Sequence, residues 1–516
     1  MKIKVVFRVD AASYMGIGHV MRCLTLANAL KQNGADIHFV CREHPGHYEK
    51  RIQSEGHKLH LLSPGAQMVQ FKPEQAHTPP YVSWLGETWE TDLFQTQTAL
   101  KGEQFDWLIV DHYALDERWE RGMRKLAKKI MVIDDLADRM HDCDMLLDQS
   151  FGRKDEAYKP WVGQQCTVLT GSKYALLRPE FSALRDYSLK RRADNKLEHL
   201  LITMGGVDQP NATGQVLEAL QYSSLPQNCR ITVVMGAEAP WLDAVREQAK
   251  KLDWPTDIKV NVSNMAQLMA DSDLAIGAAG TTSWEICTLG LPAIVIATVD
   301  NQKFTGESLA IAGASWYLGQ LDKLTENQIS TVISHAASDP YALTALQANA
   351  KKIADGKGAE RITRAMLAPI VEVREAVIGD GEMLFSWRNN PIVRKYFFDA
   401  SEINIEEHLC WLEKSIASKD RLLLVATLDG DPIGSVRFDL IEDIAEISIY
   451  LNPDSMGQSL GVNILDSAIA WINRTHVEIR KIQAKVLKDN IASQRVFDEA
   501  GFDLKHYTFC RMLRLG

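Results

Sequence analysis

The chain has 516 residues, 46% of them apolar and 24% charged, and carries a net charge of −10. That length exceeds what one hydrophobic core organises and predicts several units. The acidic balance argues against nucleic acid or an anionic membrane as the main partner, and eight cysteines without a CxxC pair read as free thiols, not a disulfide scaffold.

The opening MKIKVVFRVD is not a signal peptide, because Arg8 and Asp10 interrupt its short apolar run. No stretch approaches the ~18 apolar residues of a membrane span, so a cytoplasmic protein is expected. Strands are predicted at 4–9, 36–40, 107–110, 130–133 and 145–147, with a helix over 20–32. After a charged stretch at 185–196 the alternation restarts, with strands at 199–203, 230–234, 274–276 and 293–296. Short buried strands separated by helices describe parallel sheets covered on both faces. The expectation is α/β, with two doubly wound, Rossmann-like lobes at 1–185 and 186–367. Such lobes bind ligands beyond the carboxyl ends of their strands, which places the site in the cleft between them. A third unit, 371–516, mixes strands at 371–375, 421–428, 432–439, 445–450 and 481–487, plus a final one, with helices at 382–388, 406–416, 462–473 and 491–500. That is α+β.

Four loops of the first two lobes follow strands. Gly16 and Gly18 flank a tight turn that ends in His19, a usable general base at the mouth of a cleft. The cluster Gly277 to Ser283, including Gly280, Thr281 and Thr282, combines small residues, hydroxyls and free helix N–H groups suited to a diphosphate. Glu285, in the first turn beyond it, is placed to accept hydrogen bonds from a ribose. Gly205, Gly206 and Asp208, and Asn301 with Gln302, follow neighbouring strands in the same manner. Asp134 and Asp135 serve equally as turn residues or site residues. Tyr81, Trp84 and Trp89 read as packing, with contact to a membrane acceptor as the alternative.

These motifs, with DWLIVDHYALD, VIDDLADR, YALLRPEF and NMAQLMADSDLAIGAAGTTSWE (which contains Met265), resemble the UDP-sugar hydrolases of pseudaminic acid biosynthesis. Those enzymes are related to the two-lobed GT-B-like glycosyltransferases. The resemblance spans about 1–365. It implies that UDP-2,4-diacetamido-2,4,6-trideoxy-β-L-altropyranose is cleaved with inversion to UDP and free sugar. It also implies a role for His19 in activating water, for Gly280 to Thr282 in holding the diphosphate and for Glu285 in holding the ribose. No DxD-type metal motif stands at a suitable place in the sequence, so a metal-independent reaction is expected.

In the third unit, Gly457, Gln458, Ser459, Leu460, Gly461 and Val462 form a turn between a strand and a helix. Its backbone nest suits a pyrophosphate. Asn490 begins the next helix, with Ser493 in its first turn. With WRNN at 387–390, Val393, Arg394, His408 and Trp411, these resemble the GCN5-related N-acetyltransferases over about 371–515. The resemblance implies acetyl-CoA as cosubstrate. Its pyrophosphate would lie on residues 457–462 and its pantetheine arm along Ile449 and Leu451, with Asn490 and Ser493 lining the channel. Phe497 stands where the family often has a tyrosine acting as acid, so Tyr450 and Tyr507 are the candidates for proton donor, and Glu446 for base. The fusion points to successive steps on one UDP-amino-sugar: N-acetylation of a 4-amino group, then hydrolysis. Joining them raises the local concentration of the intermediate. A glycosyltransferase fused to an acetyltransferase, a nucleotide-sugar sensor, and a chain with one active half are the alternatives. The oligomeric state is left open.

Overall fold

The computed structural model describes residues 2–65, 81–192, 196–237, 239–367, 369, 371–458 and 460–502. The chain divides after Met366 into two compact units.

The first unit contains two parallel sheets. The first lobe has β1 (Lys4–Val9), β2 (Asp36–Arg42), β3 (Lys58–Leu62), β4 (Phe105–Asp111), β5 (Ala127–Ile133), β6 (Met145–Asp148) and β7 (Thr167–Thr170), in the order β3-β2-β1-β4-β5-β6-β7. The second has β8 (His199–Thr203), β9 (Arg230–Met235), β10 (Thr256–Val260), β11 (Leu274–Ala278), β12 (Ala293–Ala297) and β13 (Trp316–Gln320), ordered β10-β9-β8-β11-β12-β13. Both are the doubly wound order in which the chain reverses direction beside the first strand, at β1/β4 and at β8/β11.

The central strands are buried almost throughout, as in β8 and β12, because helices cover both faces. That burial makes them visible as apolar runs. The four edge strands β3, β7, β10 and β13 are half-exposed and mix polar with apolar residues. None of the four is among the predicted strands, since a one-sided strand lacks the continuous apolar run. Residue 185 lies inside the helix Pro179–Arg191. Phe181 of that helix sits in a second-lobe core with Leu201, Ala275 and Ile286, and Arg185 donates to the Thr288 and Ala354 carbonyls. The helix therefore packs with the second lobe. The helix Gly358–Leu367 returns to the first lobe, where the Trp107 indole donates to the Met366 carbonyl at 3.2 Å.

The second unit is one five-stranded sheet: β14 (Val371–Glu375), β15 (Arg421–Leu428), β16 (Asp431–Ile441), β17 (Ile444–Leu451) and β18 (Lys481–Ala484), in chain order. Pairing is antiparallel except for the parallel β17–β18 pair. Along β17 the side chains alternate between faces. Ala445 and Ile447 pack with Ile464, Leu465, Ala468 and Phe497. Tyr450, on the opposite face, packs with Leu384, Trp387 and Leu412. The predicted final strand lies outside the described residues. The overall class is mixed α/β: two Rossmann-like lobes of GT-B type, then an acetyltransferase-type sheet domain.

Candidate active sites

The first site forms where β1 and β4 end side by side. After β1 the chain turns through Gly16, at φ +80°, and enters the helix Gly18–Gln32. No side chain caps that helix start. His19 therefore sits in the first turn, opposite Asp111 at the end of β4. His19 Nδ1 lies 2.6 Å from Asp111 Oδ1. An ionised carboxylate only accepts hydrogen bonds, so Nδ1 carries the proton and Nε2 is left as the ring's acceptor. Asp111 is fully buried. Burial alone would raise its pKa, but the Arg22 guanidinium and His19 outweigh it and hold the carboxyl well below the usual range. Arg22 donates to both Asp111 oxygens at 2.6 Å and reaches Asp135 at 3.2 Å. The Tyr113 phenol donates to Asp135 at 2.5 Å. Tyr113 and Trp84 meet the His19 ring edge-on at 4.7 and 6.2 Å, and Tyr81 packs on both of these aromatic rings.

His19, Arg22, Tyr81, Trp84, Tyr113 and Asp135 line a cavity of about 870 Å³ that the second lobe completes, with Asp111 buried behind them. His19, Gly18, Gly280, Thr281, Asn301 and Gln302 all border it. Thr281 precedes the helix Thr282–Thr288, whose start also has no side-chain cap. A Cβ on Gly280 would lie 3.5 Å from Gln302 Nε2, and Gln302 Oε1 accepts from the Thr298 N–H at 2.9 Å. Across the lobes, Arg153 stacks on Phe304 at 4.5 Å. Beneath it, burial and the Asp135 charge push Asp148 up to about 6, against the pull of Ser150 and Arg153.

Gly16, Gly205, Gly206, Asp208, Met265, Thr282 and Glu285 are not among the cavity's lining residues. Asp208 is used locally, accepting the Ala212 and Thr213 N–H groups at 2.8 and 2.9 Å to start a helix. Met265 opens the helix Met265–Ala270 and packs against a core. Glu285 is half-buried; burial pushes its carboxyl up to about 7, with Arg178 opposing and Glu180 adding. The structure separates Asp134 from Asp135. Asp134 is buried and accepts the Leu136 and Ala137 N–H groups and the Tyr158 hydroxyl, whereas Asp135 lines the cavity. Tyr81 and Trp84 border the cavity as well as packing on one another, and Trp89 lies under Arg118 at 5.2 Å. Arg22, Asp111 and Tyr113 are residues that motif reading did not single out.

The second site is made chiefly of backbone. Parallel pairing between β17 and β18 stops at Ile447 and Ala484, leaving the β18-facing edge of residues 448–451, which include Ile449 and Leu451, open. Gly457 has φ +80° with nothing within 4 Å of a Cβ. The helix Gly461–Thr475 starts without a side-chain cap, so its first N–H groups are available to an anion. Gly461 serves packing: a Cβ there would meet Val496 at 2.9 Å. Leu460 and Val462 are buried, and Gln458 donates to the Asp454 carbonyl at 2.9 Å. The splayed strands, the left-handed glycine and the uncapped helix fit the pantetheine and pyrophosphate of acetyl-CoA. Asn490 is buried and its side chain accepts the Ser493 N–H at 3.0 Å, which caps the helix Ile491–Glu499. Tyr450 lies beyond the point where pairing stops; burial pushes its phenol up to about 12, against a Ser435 hydrogen bond and the charges of Arg388 and Arg437. Glu446 shares its face four residues back, within the paired stretch, and bonds Lys485 at 2.8 Å. Ser459 and Tyr507 lie outside the described residues.

Two family models match the chain. One is the acetyltransferase (GNAT) domain, over residues 371–503, and the other the glycosyltransferase family 28 C-terminal domain, over residues 199–362. An uncharacterized protein of Methanocaldococcus jannaschii, MJ1062, is 25% identical over 513 residues, 97% of this chain and 96% of its own length. The UDP-2,4-diacetamido-2,4,6-trideoxy-beta-L-altropyranose hydrolase of Campylobacter jejuni is 28% identical over 312 residues, 60% of this chain and 97% of that protein. Among solved structures, MurG of Acinetobacter baumannii matches with a TM-score of 0.51 at 15% identity, covering 71% of this chain and 99% of MurG. That likeness shows the fold. Among the described residues, no helix is long and apolar enough to cross a membrane. The chain joins a two-lobed unit, whose second lobe is of glycosyltransferase family 28 type, to a GNAT acetyltransferase domain.

Proposed function

We propose that the first unit hydrolyses UDP-2,4-diacetamido-2,4,6-trideoxy-β-L-altropyranose to UDP and free sugar. In the same reading, the second unit N-acetylates the 4-amino group of the UDP-sugar precursor with acetyl-CoA. The observation that carries the first half is the buried Asp111 carboxylate on His19 Nδ1. It leaves Nε2 as acceptor in a cavity bordered by Gly280 and Thr281. His19 takes a proton from water attacking the anomeric carbon, and UDP departs from the opposite face with inversion. The residue 280–282 amides and the helix start stabilise the departing diphosphate, and the Glu285 carboxylate accepts from the ribose. The 28% identity to the Campylobacter hydrolase over nearly all of that protein supports the choice of substrate.

In the second unit, acetyl-CoA supplies the acyl group to an incoming amine. The open edge of β17 holds the pantetheine arm and orients the thioester, residues 457–462 hold the pyrophosphate, and Asn490 and Ser493 border the channel. Tyr450 gives its proton to the departing thiolate, and Glu446 receives the amine proton through water. Acetylation precedes hydrolysis, and neither a metal nor a membrane takes part.

A second reading, transfer of the sugar to an acceptor from the same site, is favoured by the glycosyltransferase family 28 match over residues 199–362. One experiment separates them. The 4-amino UDP-sugar and acetyl-CoA are supplied together and products followed by mass and NMR. Acetylated free sugar and UDP accumulate under the first reading. UDP release that requires an added acceptor sugar or lipid establishes the second. Release of UDP without acetylation overturns the proposed order.

A further inference from the structure

The proposed hydrolysis uses one Asp–His pair; a second lies behind Tyr14, which borders the same cavity. Asp10, at the end of β1, is fully buried, as are Arg8 and Asp92, which flank it in an ion-pair cluster. Its Oδ1 accepts from Arg8 at 2.6 Å and from the Arg42 N–H at 2.7 Å. Its Oδ2 faces two imidazoles, with His112 Nε2 at 3.2 Å and His44 Nε2 at 3.6 Å. His44 is 6% exposed, and its Nδ1 lies 3.3 Å from the hydroxyl of Tyr14. Tyr14 is 54% exposed and borders the same cavity as His19.

The tautomers follow from hydrogen-bond bookkeeping. His112 Nδ1 accepts the Ala114 N–H at 3.1 Å, so its proton is on Nε2, toward Asp10. A ring nitrogen with a lone pair aimed at a buried carboxylate would be repelled, so a singly protonated His44 also carries its proton on Nε2. Its Nδ1 is then an acceptor, and the Tyr14 O–H must donate to it. The phenol proton is thereby committed, and the lone pairs of the phenol oxygen are the hydrogen-bonding capacity that Tyr14 brings to the cavity.

We infer that Tyr14 is a specificity-determining residue that accepts a hydrogen bond from an N–H or O–H donor on the sugar, and that His44 and Asp10 are positioning residues that hold it as an acceptor. This rests on the UDP-sugar reading above and names one contact within it. It assigns Tyr14 to the sugar, not to the nucleotide.

The test uses the full-length protein with three readouts: KM and kcat for UDP release from the diacetamido UDP-sugar, and the Kd for UDP alone by calorimetry. Tyr14→Phe is expected to raise KM about tenfold, the loss of one hydrogen bond of about 1.4 kcal/mol, with kcat and UDP affinity within twofold of the parent. An unchanged KM overturns the proposal, and a matching loss of UDP affinity overturns the assignment to the sugar. His44→Gln separates positioning from general support of the fold. Its effect on KM should vanish in a Tyr14→Phe background, because the two act through one hydrogen bond; additive effects overturn the relay. His19→Ala checks the underlying reading separately. If that variant releases UDP at the parental rate, the hydrolase reading fails, whatever Tyr14→Phe shows.

Discussion

The two units build their sites from different parts of the chain. In the first, the candidate site is made of side chains: Asp111 orients His19, and Arg22 and Tyr113 fix Asp135 beside it. In the second, the features proposed to hold acetyl-CoA are backbone: an open edge on β17, a left-handed Gly457 and an uncapped helix start. A side-chain site states its reaction through proton positions. A backbone site states its ligand through N–H groups and says little about who moves the proton. The difference should show in how each half responds to single substitutions.

His19→Ala tests the side-chain half most severely. Removing a general base is expected to slow UDP release about 10³-fold while acetyl transfer stays within twofold, measured as UDP and CoA release on one preparation. UDP release within tenfold of the parent would mean that this site does not work by base catalysis. Asp111→Asn is the subtler case. The amide can present N–H to His19 Nδ1, which moves the ring proton to Nε2 and removes the acceptor from the cavity. A fall of about 10²-fold in kcat is expected, at the low end of what general-base catalysis contributes, with KM little changed. Because Asp111 also anchors Arg22, melting curves should accompany the kinetics.

In the backbone half the comparison sharpens at Tyr450 and Glu446. Burial keeps the Tyr450 phenol protonated throughout the neutral range, as a donor to a departing thiolate requires. Tyr450→Phe is expected to lower the kcat of acetyl transfer about 10²-fold without changing CoA affinity. Glu446 lies four residues back along β17, about 13 Å at strand rise, and shares its carboxylate with Lys485. Glu446→Gln should therefore cost about tenfold or less. A larger loss for Glu446→Gln than for Tyr450→Phe would reverse their ranking.

The sequence was legible where local physics decides. Central strands showed as apolar runs because helices bury both faces, and the turns at Gly16 and Gly457 showed because a left-handed residue there favours glycine. The edge strands did not show, because half-exposed residues carry no period-independent apolar signal. His19 was legible as the residue opening a helix. Its partner Asp111 was not, being 92 residues away and joined to it only by the β1–β4 pairing. The motif DHY offered a signal, a charged residue ending a buried strand beside the switch point, which topology alone could interpret. Asp134 and Asp135 are inseparable in sequence, being the same residue type at one strand end, and only the fold assigns one to the turn and the other to the cavity. Asn490 showed as a helix start, and the structure gives the side-chain bond behind it.

The smallest expected effect concerns Glu285 and couples stability to pH. Its carboxyl is pushed up to about 7 by burial, whereas an unfolded chain titrates it near ~4.3. Between these values the folded protein holds a proton that the unfolded chain has released, so stability declines as pH rises from about 4.3 to about 7 and then levels off. Glu285→Gln removes that titration. The variant should match the parent's pH dependence below about pH 4, and above pH 7 it should be more stable by on the order of 1–3 kcal/mol. Urea unfolding at pH 5, 6 and 7.5 reads the difference between the two proteins. Taking that difference removes the like-signed contribution of Asp148, pushed up to about 6, because it is common to both. Equal slopes for parent and variant would mean that Glu285 is solvated like an ordinary surface carboxylate. Saturating UDP sharpens the comparison further. If the carboxylate accepts from ribose hydroxyls, the nucleotide favours its ionised form and lowers its pKa, so the parent's decline across pH 5–7 should flatten in UDP. With no ribose contact, UDP would change the pH slopes of the parent and of Glu285→Gln alike, since the titration of the nucleotide's own phosphate near pH ~6 is common to both.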